Sequence, residues 1–234
     1  MRFKPRYKIC FWTKTDIWGT LLKKSFCKVK WNRLIGSLIS RKKRRYQKLC
    51  KNYNLLRPAS RPNQPYKYPR WNFRNSLSNK ILVRQFYGDL NYKSLKRLCR
   101  LKTIQNLIKC LESRLDINLY RLGFFSSIFE SRQAILHGKV LVNGKRMTFD
   151  HFLLKSGDIV EFESCYKVCL YNQILLRRKN RDYVDRLKLE PTPDWIQTDY
   201  SNLSFIFVAD VNLAIFYPFR IDFDEILGSF KYAY

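Results

Sequence analysis

The chain has 234 residues, and 46% of them are hydrophobic, enough to bury a core in one large or two small domains. Forty-six Lys and Arg residues against eighteen Asp and Glu residues leave a formal charge of +28, well beyond what solubility requires. Such a charge favours a polyanionic partner, either nucleic acid or an anionic membrane surface. The most apolar run, residues 203–219, contains Asp210 and Asn212, so we expect no membrane-spanning segment.

The seven cysteines are odd in number and irregularly spaced, which indicates free thiols in a reducing compartment. Cys165 and Cys169 form the one close pair, in a stretch that alternates like a β-strand. Because the chain has only two histidines, both far from this pair in sequence, we expect no metal site. It also lacks the glycine-rich loops that hold nucleotide phosphates, and we expect no cofactor and no small-molecule substrate.

The excess positive charge lies in the N-terminal half. Residues 1–111 hold 30 basic residues and only two acidic ones, and the run RKKRRYQKLCK at 41–51 has seven cations. Such a segment repels itself and is expected to stay extended. We interpret it as an arm that orders on RNA, with cations on phosphates and interleaved aromatic rings against bases. A solvated basic face and a nuclear-import signal are the alternatives. The densest cations are Arg41, Lys42, Lys43, Arg44 and Arg45.

Prolines at 58, 62, 65 and 69 predict a stiff extended connector over residues 57–72. From Leu90 to Leu111, leucine and isoleucine recur every three or four residues, which predicts one packed helix with a basic outer face.

Two short helices are predicted next. Ser113-x-x-Asp116 is an N-cap pattern ahead of a helix that Gly123 would end, and Asp116 would there complement the helix dipole. Ser127-x-x-Glu130 repeats the pattern as a capping box for a helix that ends at Gly138.

A β-hairpin follows these helices. Val140 and Val142 alternate with other residues ahead of Asn143-Gly144, a strong hairpin turn signal, and residues 155–163 predict a further strand. Residues 175–188 are expected to be helical, and the rest of the chain alternates as short strands.

Catalysis has little support in this sequence. Arg114-Leu115-Asp116 resembles the stretch of pseudouridine synthases that carries their nucleophilic aspartate. Ser113, Tyr120 and Arg121 depart from that pattern, and no further catalytic domain surrounds it.

A binding surface is better supported. The free N–H groups at the start of the second helix favour an anion, and polar or basic side chains follow on its face and on the hairpin edge. Such a concave surface suits folded RNA, which is recognised largely through its shape and backbone. The predicted RNA-facing residues are Arg114, Arg121, Ser126, Ser127, Arg132, Gln133, His137, Lys139, Asn143 and Lys145.

Residues 113–147 (SRLDINLYRLGFFSSIFESRQAILHGKVLVNGKRM) and 155–162 (KSGDIVEF) resemble the small RNA-binding module named after ribosomal protein S-four. Residues 85–98 (QFYGDLNYKSLKRL) and 193–230 resemble segments that flank the module in that ribosomal family itself. The opening RFKPRYKICFWTKTDIWG is similar to the mitochondrial form of algae and plants, whereas residues 21–80 match no known pattern.

The resemblance implies an α+β protein: a helical subdomain plus a small helix-helix-hairpin RNA-binding module, with an extended basic N-terminal arm. The expected divisions are 1–80 for the arm and connector, 81–112 with 191–234 for the helical and C-terminal subdomain, and 113–190 for the module. The family's RNA-facing positions are matched by the ten residues named above.

The implied function is that of a non-enzymatic constituent of the mitochondrial small ribosomal subunit. It would bind small-subunit rRNA, help to nucleate assembly, and lie near the mRNA entry side beside neighbouring small-subunit proteins, without a membrane partner. The N-terminus lacks the features of a secretory or transit leader, which suits an organelle-encoded protein of the mitochondrial matrix. The alternatives are an RNA pseudouridine synthase and a ribosome-associated accessory factor carrying the same module.

Overall fold

The computed structural model describes residues 7–18, 21, 26–49, 69–99, 103–178 and 193–211, and eight of the residues between 215 and 230. The chain groups into two compact units, residues 1–89 with 217–234 and residues 90–216. The α+β class is confirmed, because helices and one antiparallel sheet share the second unit. The three-part domain division stays a prediction.

The first unit is helical where the sequence led us to expect extended chain. Its helices are α1 (Lys8–Thr13), α2 (Val29–Leu49) and α3 (Pro69–Phe86). Helix α2 includes residues 41–49 of the basic run, because Lys, Arg, Leu and Gln are good helix formers and this propensity outweighs a few tenths of a kcal/mol of repulsion per like-charged pair. The expectation of an extended connector as far as residue 72 is also wrong, since Pro69 occupies the first position of α3, where proline costs no hydrogen bond.

Aromatic rings form the centre of the first unit. Phe86 and Tyr87, at and just beyond the end of α3, are fully buried, and the Tyr87 hydroxyl lies 2.6 Å from that of Tyr217. The Phe86 ring also packs edge-on against Phe219 at 5.6 Å. The C-terminal segment thus returns to the end of α3. However, Phe223, Ile226, Leu227 and Phe230 have helical backbone instead of the predicted strand.

In the second unit the single helix predicted over 90–111 is two helices, α4 (Tyr92–Cys99) and α5 (Ile104–Glu112). Thr103 separates them, because its extended backbone and its hydroxyl, which accepts a hydrogen bond from the Asn106 N–H, start a new helix. The two short helices of the predicted module are α6 (Leu115–Arg121) and α7 (Ile128–Leu136).

The sheet has five antiparallel strands in the order β2-β1-β3-β5-β4. These are β1 (Val140–Val142), β2 (Lys145–Met147), β3 (Ile159–Phe162), β4 (Ile196–Asp199) and β5 (Ser204–Phe207). The predicted hairpin is confirmed as β1 and β2, and β3 pairs with β1 as Val140 opposite Phe162. Strands β4 and β5, which the sequence placed with the C-terminal subdomain, pair onto β3 and complete the sheet of the module.

Helix α8 (Ser164–Arg178) corrects the strand predicted around Cys165 and Cys169. Tyr166, Leu170 and Ile174 recur every four residues and pack into the core, which leaves both cysteines on the exposed helix face. The hydrophobic core of this unit joins the sheet to α6, α7 and α8, and its large buried rings include Phe124, Phe125, Phe162, Phe205 and Phe207. The described part of residues 175–188 is helical as far as Arg178.

Candidate nucleic-acid interface

Helix α7 begins with the predicted capping box. The Ser127 hydroxyl accepts a hydrogen bond from the Glu130 N–H at 3.3 Å, and Glu130 Oε2 accepts from both the N–H and the hydroxyl of Ser126, at 2.8 and 2.6 Å. The other Glu130 oxygen accepts from Arg177 of α8. A carboxylate of the protein itself therefore occupies part of the helix N-terminus that we expected to bind an anion.

Arg121 is buried, although the sequence predicts that it faces RNA. Its Nε and Nη2 donate to the two oxygens of Glu112, each at 2.6 Å, and both side chains are almost completely removed from solvent. Glu112 ends α5 and Arg121 ends α6, so this two-pronged ion pair fixes the two helices to each other. Arg121 is therefore a structural cation in this arrangement.

Arg114 belongs to a second buried ionic cluster. Its Nε and Nη2 donate to the two oxygens of Asp116 at 3.1 and 2.5 Å, and Asp116 Oδ2 also accepts from Arg132 Nε of α7 at 2.8 Å. Asp116 is fully buried, whereas Arg132 keeps a small exposed area. The carboxylate thus joins α6 to α7, instead of only complementing the dipole of its own helix.

Two residues that the sequence did not single out complete this cluster. Asp150 Oδ2 lies 3.6 Å from Arg132 Nε, and His151 Nδ1 accepts a hydrogen bond from Arg114 Nη2 at 2.7 Å. Partial burial, together with the positive charge of Arg114, lowers the pKa of His151, which keeps the imidazole neutral and Nδ1 free to accept. No local spacing links residue 114 to residue 151, so the sequence gives no signal of the pair.

The N-cap of α6 also differs from the prediction. Ser113 is not the cap, because its carbonyl accepts from the Leu154 N–H at 2.8 Å and the Leu115 N–H donates to the Phe152 carbonyl at 2.9 Å. This short antiparallel bridge draws Arg114 into an extended conformation and makes it the N-cap, without a side-chain capping bond. The bridge joins the start of α6 to the segment after the hairpin.

The hairpin turn is held by Asn143. Both Asn143 and Gly144 have positive φ, 51° and 76°, as a type I′ turn requires. The Asn143 amide donates to Asp158 Oδ1 and accepts from the Ile159 N–H, each at 2.9 Å. These bonds connect the turn to the start of β3, so Asn143 has a structural role whether or not it also contacts RNA.

Replacing Asn143 by alanine should lower the free energy of unfolding by about 2 kcal/mol, from left-handed backbone strain and from the removal of its two hydrogen bonds. Replacement by glycine should cost about half as much, because glycine adopts positive φ freely. Urea-induced unfolding of the two variants measures the difference, and equal costs would contradict the assignment of strain to this position.

The remaining predicted residues are accessible. Gln133 on α7 and His137 at its C-cap are exposed, and Lys145 is exposed on β2 with no ion pair to the described part of the chain. Lys139 Nζ lies 2.9 Å from Glu163 Oε2, and Arg146 Nη2 lies 2.6 Å from Glu163 Oε1. The hydrogen bond from Lys139 and the charge of Arg146 hold the pKa of Glu163 below its usual range. Sequence reasoning missed both Arg146 and Glu163.

The ten predicted RNA-facing residues therefore lie in one unit but differ in their burial and in their contacts with the rest of the protein. Arg114 and Arg121 are buried, and Ser126, Ser127, Arg132 and Asn143 bond within the protein. Gln133, His137, Lys139 and Lys145 present polar groups to solvent on α7 and the hairpin edge. The side chains of Arg41, Lys42, Lys43, Arg44 and Arg45 lie outside the described residues, although their backbone is part of α2.

The residues that the structure describes hold no cluster of three or more His, Cys, Asp or Glu residues suited to a metal ion. None of the helices described there has the length and apolar character needed to cross a bilayer.

Comparison with known proteins identifies the module and the whole chain. The S4 domain model matches residues 113–160. The small ribosomal subunit proteins uS4 of Dinoroseobacter shibae and Bartonella henselae are 32% and 34% identical to this chain, over 62% and 59% of its length and 70% and 69% of theirs. This chain belongs to the uS4 family. The mitochondrial member uS4m of Reclinomonas americana is 28% identical over 97% of both chains. The uS4 resemblance seen in the sequence is thereby confirmed, including the similarity to the mitochondrial form.

Proposed function

We propose that this uS4 chain is a structural constituent of the mitochondrial small ribosomal subunit that binds small-subunit rRNA. The observation that carries the proposal is the match to a mitochondrial small-subunit protein over 97% of both chains. The formal charge of +28 supports a polyanionic partner such as rRNA. Its neighbours would be other small-subunit proteins.

The finer parts of the proposal rest on family membership. They are a role in nucleating subunit assembly, a position near the mRNA entry side, and location in the mitochondrial matrix. Helix α2, with Arg41, Lys42, Lys43, Arg44 and Arg45 in its sequence, would supply much of the long-range attraction to rRNA. The module would supply the fit to a particular RNA shape.

Within the module, we place the rRNA contact on the hairpin edge and the exposed face of α7. Lys145 supports this assignment because it is an exposed cation without an ion pair in the described part of the chain. Lys139 and Arg146 share one carboxylate, so this group of two cations and Glu163 keeps a net positive charge. Arg114 and Arg121 would act indirectly, by fixing the helices that carry this surface.

The enzymatic alternative is disfavoured by the site and by the relatives. A nucleophilic Asp116 would need access to a nucleotide, but its carboxylate is fully buried between Arg114 and Arg132. The relatives named above are ribosomal proteins, and none is named as a pseudouridine synthase or as an accessory factor. We therefore assign no catalytic residue.

The hairpin assignment is tested by replacing Lys139 and Lys145 together with glutamate. Binding of the full chain to small-subunit rRNA should weaken at least tenfold, and the dependence of log K on log salt should flatten by roughly 0.7–0.9 for each phosphate that the variant no longer neutralises. Filter binding across a salt series measures both quantities.

The control changes the same amount of charge elsewhere in the unit, through Lys93→Glu with Lys96→Glu on α4. If this control weakens binding as much as the hairpin variant does, the hairpin has no special part in the contact. Thermal unfolding should show that both variants remain folded, because all four lysines have at least partly exposed side chains.

A further inference from the structure

We propose that the module carries a base-stacking site for unpaired nucleotides, formed by the exposed rings of Phe129 and Phe149 around Arg132. The inference rests on the proposed function, because it takes RNA as the ligand of the module. It adds the class of RNA recognised, single-stranded nucleotides, and two residues that the predicted binding surface does not include.

Phe129 lies on the solvent side of α7, with 52% of its area exposed. The guanidinium carbon of Arg132 lies 5.8 Å from the centroid of the Phe129 ring, within the range of a cation–π contact. Arg132 is itself fixed by its hydrogen bond to the buried carboxylate of Asp116. The phenyl ring is therefore held by an anchored cation while about half of its area stays open to solvent.

Phe149 lies on the segment that follows β2 and is 73% exposed. An ionic contact and a hydrogen bond anchor this segment next to Phe149: Asp150 lies 3.6 Å from Arg132, and His151 accepts a hydrogen bond from Arg114. The backbone beside Phe149 is thus attached to the same cluster that holds Phe129. An aromatic ring on an anchored segment loses little conformational freedom when a base stacks on it.

The charge of this cluster favours bases over phosphates as its ligand. Arg114 and Arg132 are matched by Asp116 and Asp150, so the cluster contributes little net positive charge beneath the rings. What it offers to solvent is aromatic surface, and unpaired RNA bases are recognised by stacking on such surfaces.

The same face of α7 also offers groups that bond base edges. Gln133 and His137, the C-cap residue of α7, follow Phe129 at intervals of four residues, which places all three on one side of the helix and its C-terminal end, and both polar side chains are exposed. An amide and an imidazole both donate and accept hydrogen bonds, as recognition of base edges requires. Interleaving of rings with such groups favours RNA over an apolar protein surface.

The test compares two probes on the full chain: a single-stranded RNA oligonucleotide, and the duplex of the same sequence. Phe129→Leu and Phe149→Leu should each weaken binding to the single strand about tenfold, since stacking of one base on an aromatic ring has that order of effect. Binding to the duplex should change less than twofold, because its bases are already stacked and paired. The salt dependence should not change, because no cation that neutralises a phosphate is removed.

Two sets of variants serve as controls. Phe129→Trp and Phe149→Trp should restore single-strand affinity, because an indole ring also stacks. Tyr171→Leu, which removes an aromatic ring that is 49% exposed on α8, should leave both probes unaffected.

The outcomes separate this inference from the function on which it rests. If the wild-type chain binds neither probe nor small-subunit rRNA, the proposed function falls. If the wild type binds but the leucine variants bind equally well, only the stacking site is overturned. An equal decrease in affinity for both probes also overturns it. So does a leucine variant that keeps its RNA affinity but fails to bind another small-subunit protein.

Discussion

Replacing Arg121 by alanine is expected to lower the free energy of unfolding by about 3–5 kcal/mol, which is a large fraction of the stability of a typical domain. The reason is that Glu112 is fully buried and would lose both hydrogen bonds from the guanidinium. Urea-induced unfolding followed by circular dichroism measures the change. Weakened RNA binding by this variant would then reflect loss of structure.

A double variant separates the ion pair from the volume of the side chains. Glu112→Leu with Arg121→Met fills the site with apolar groups and leaves no buried charge unpaired, so it should recover most of the stability that Arg121→Ala removes. Lys145→Ala, at an exposed cation, should change stability by less than about 0.5 kcal/mol. If Arg121→Ala is as stable as Lys145→Ala but binds RNA poorly, Arg121 contacts RNA directly and the structural assignment is wrong.

Replacing Asp116 by alanine should have a destabilising effect of similar size, about 3–5 kcal/mol, because it leaves Arg114 buried without its carboxylate and releases Arg132 of α7. Asp116→Asn keeps the shape of the side chain and removes only its charge, so it should lower the free energy of unfolding less than the alanine variant does. Thermal unfolding of both variants tests the order.

The matched control for Asp116 is Asp150→Ala. Asp150 lies near the same Arg132, but its side chain is partly exposed and the two charged atoms are 3.6 Å apart. Removing such a partly solvated partner should cost no more than about 1 kcal/mol. If the alanine variants at positions 116 and 150 lower the free energy of unfolding equally, burial is not what makes Asp116 important for stability.

The features that the sequence predicted well are those encoded within a few residues. The Asn143-Gly144 turn requires positive φ at two adjacent positions, and the Ser127–Glu130 cap spans three peptide units. Each is decided by local sterics and hydrogen bonds, so a short stretch of sequence is sufficient to identify it.

The features that the sequence missed depend on partners distant along the chain. Asp116 has one partner close in sequence, Arg114. Arg121 and Asp116 nevertheless looked like a surface cation and a helix-dipole carboxylate, because the contacts that join them to other helices, with Glu112 and Arg132, span nine and sixteen positions. Neither interval corresponds to neighbouring positions on one helix. The high positive charge of the chain therefore led us to expect more arginines on the surface than the structure exposes.

Two errors of secondary structure have similar causes. Ser113 has a good local capping pattern, but backbone pairing with residues 152–154 displaces the cap by one residue. The stretch around Cys165 contains apolar residues at both strand and helix spacing, and only the core contacts of Leu170 and Ile174 select the helix. In both cases tertiary packing outweighs the local signal.

The strand order β2-β1-β3-β5-β4 bears on how the chain folds as it leaves the ribosome that makes it. When residue 162 has been synthesised, the hairpin can pair with β3, but the outer edge of β3 has no partner until β5 appears some forty residues later. Phe205 and Phe207 of β5 also complete the core on which α6 and α7 rest. A nascent chain that stops before β5 would carry the proposed RNA-facing residues without the strands that hold them, so stable rRNA binding should begin only near the end of synthesis.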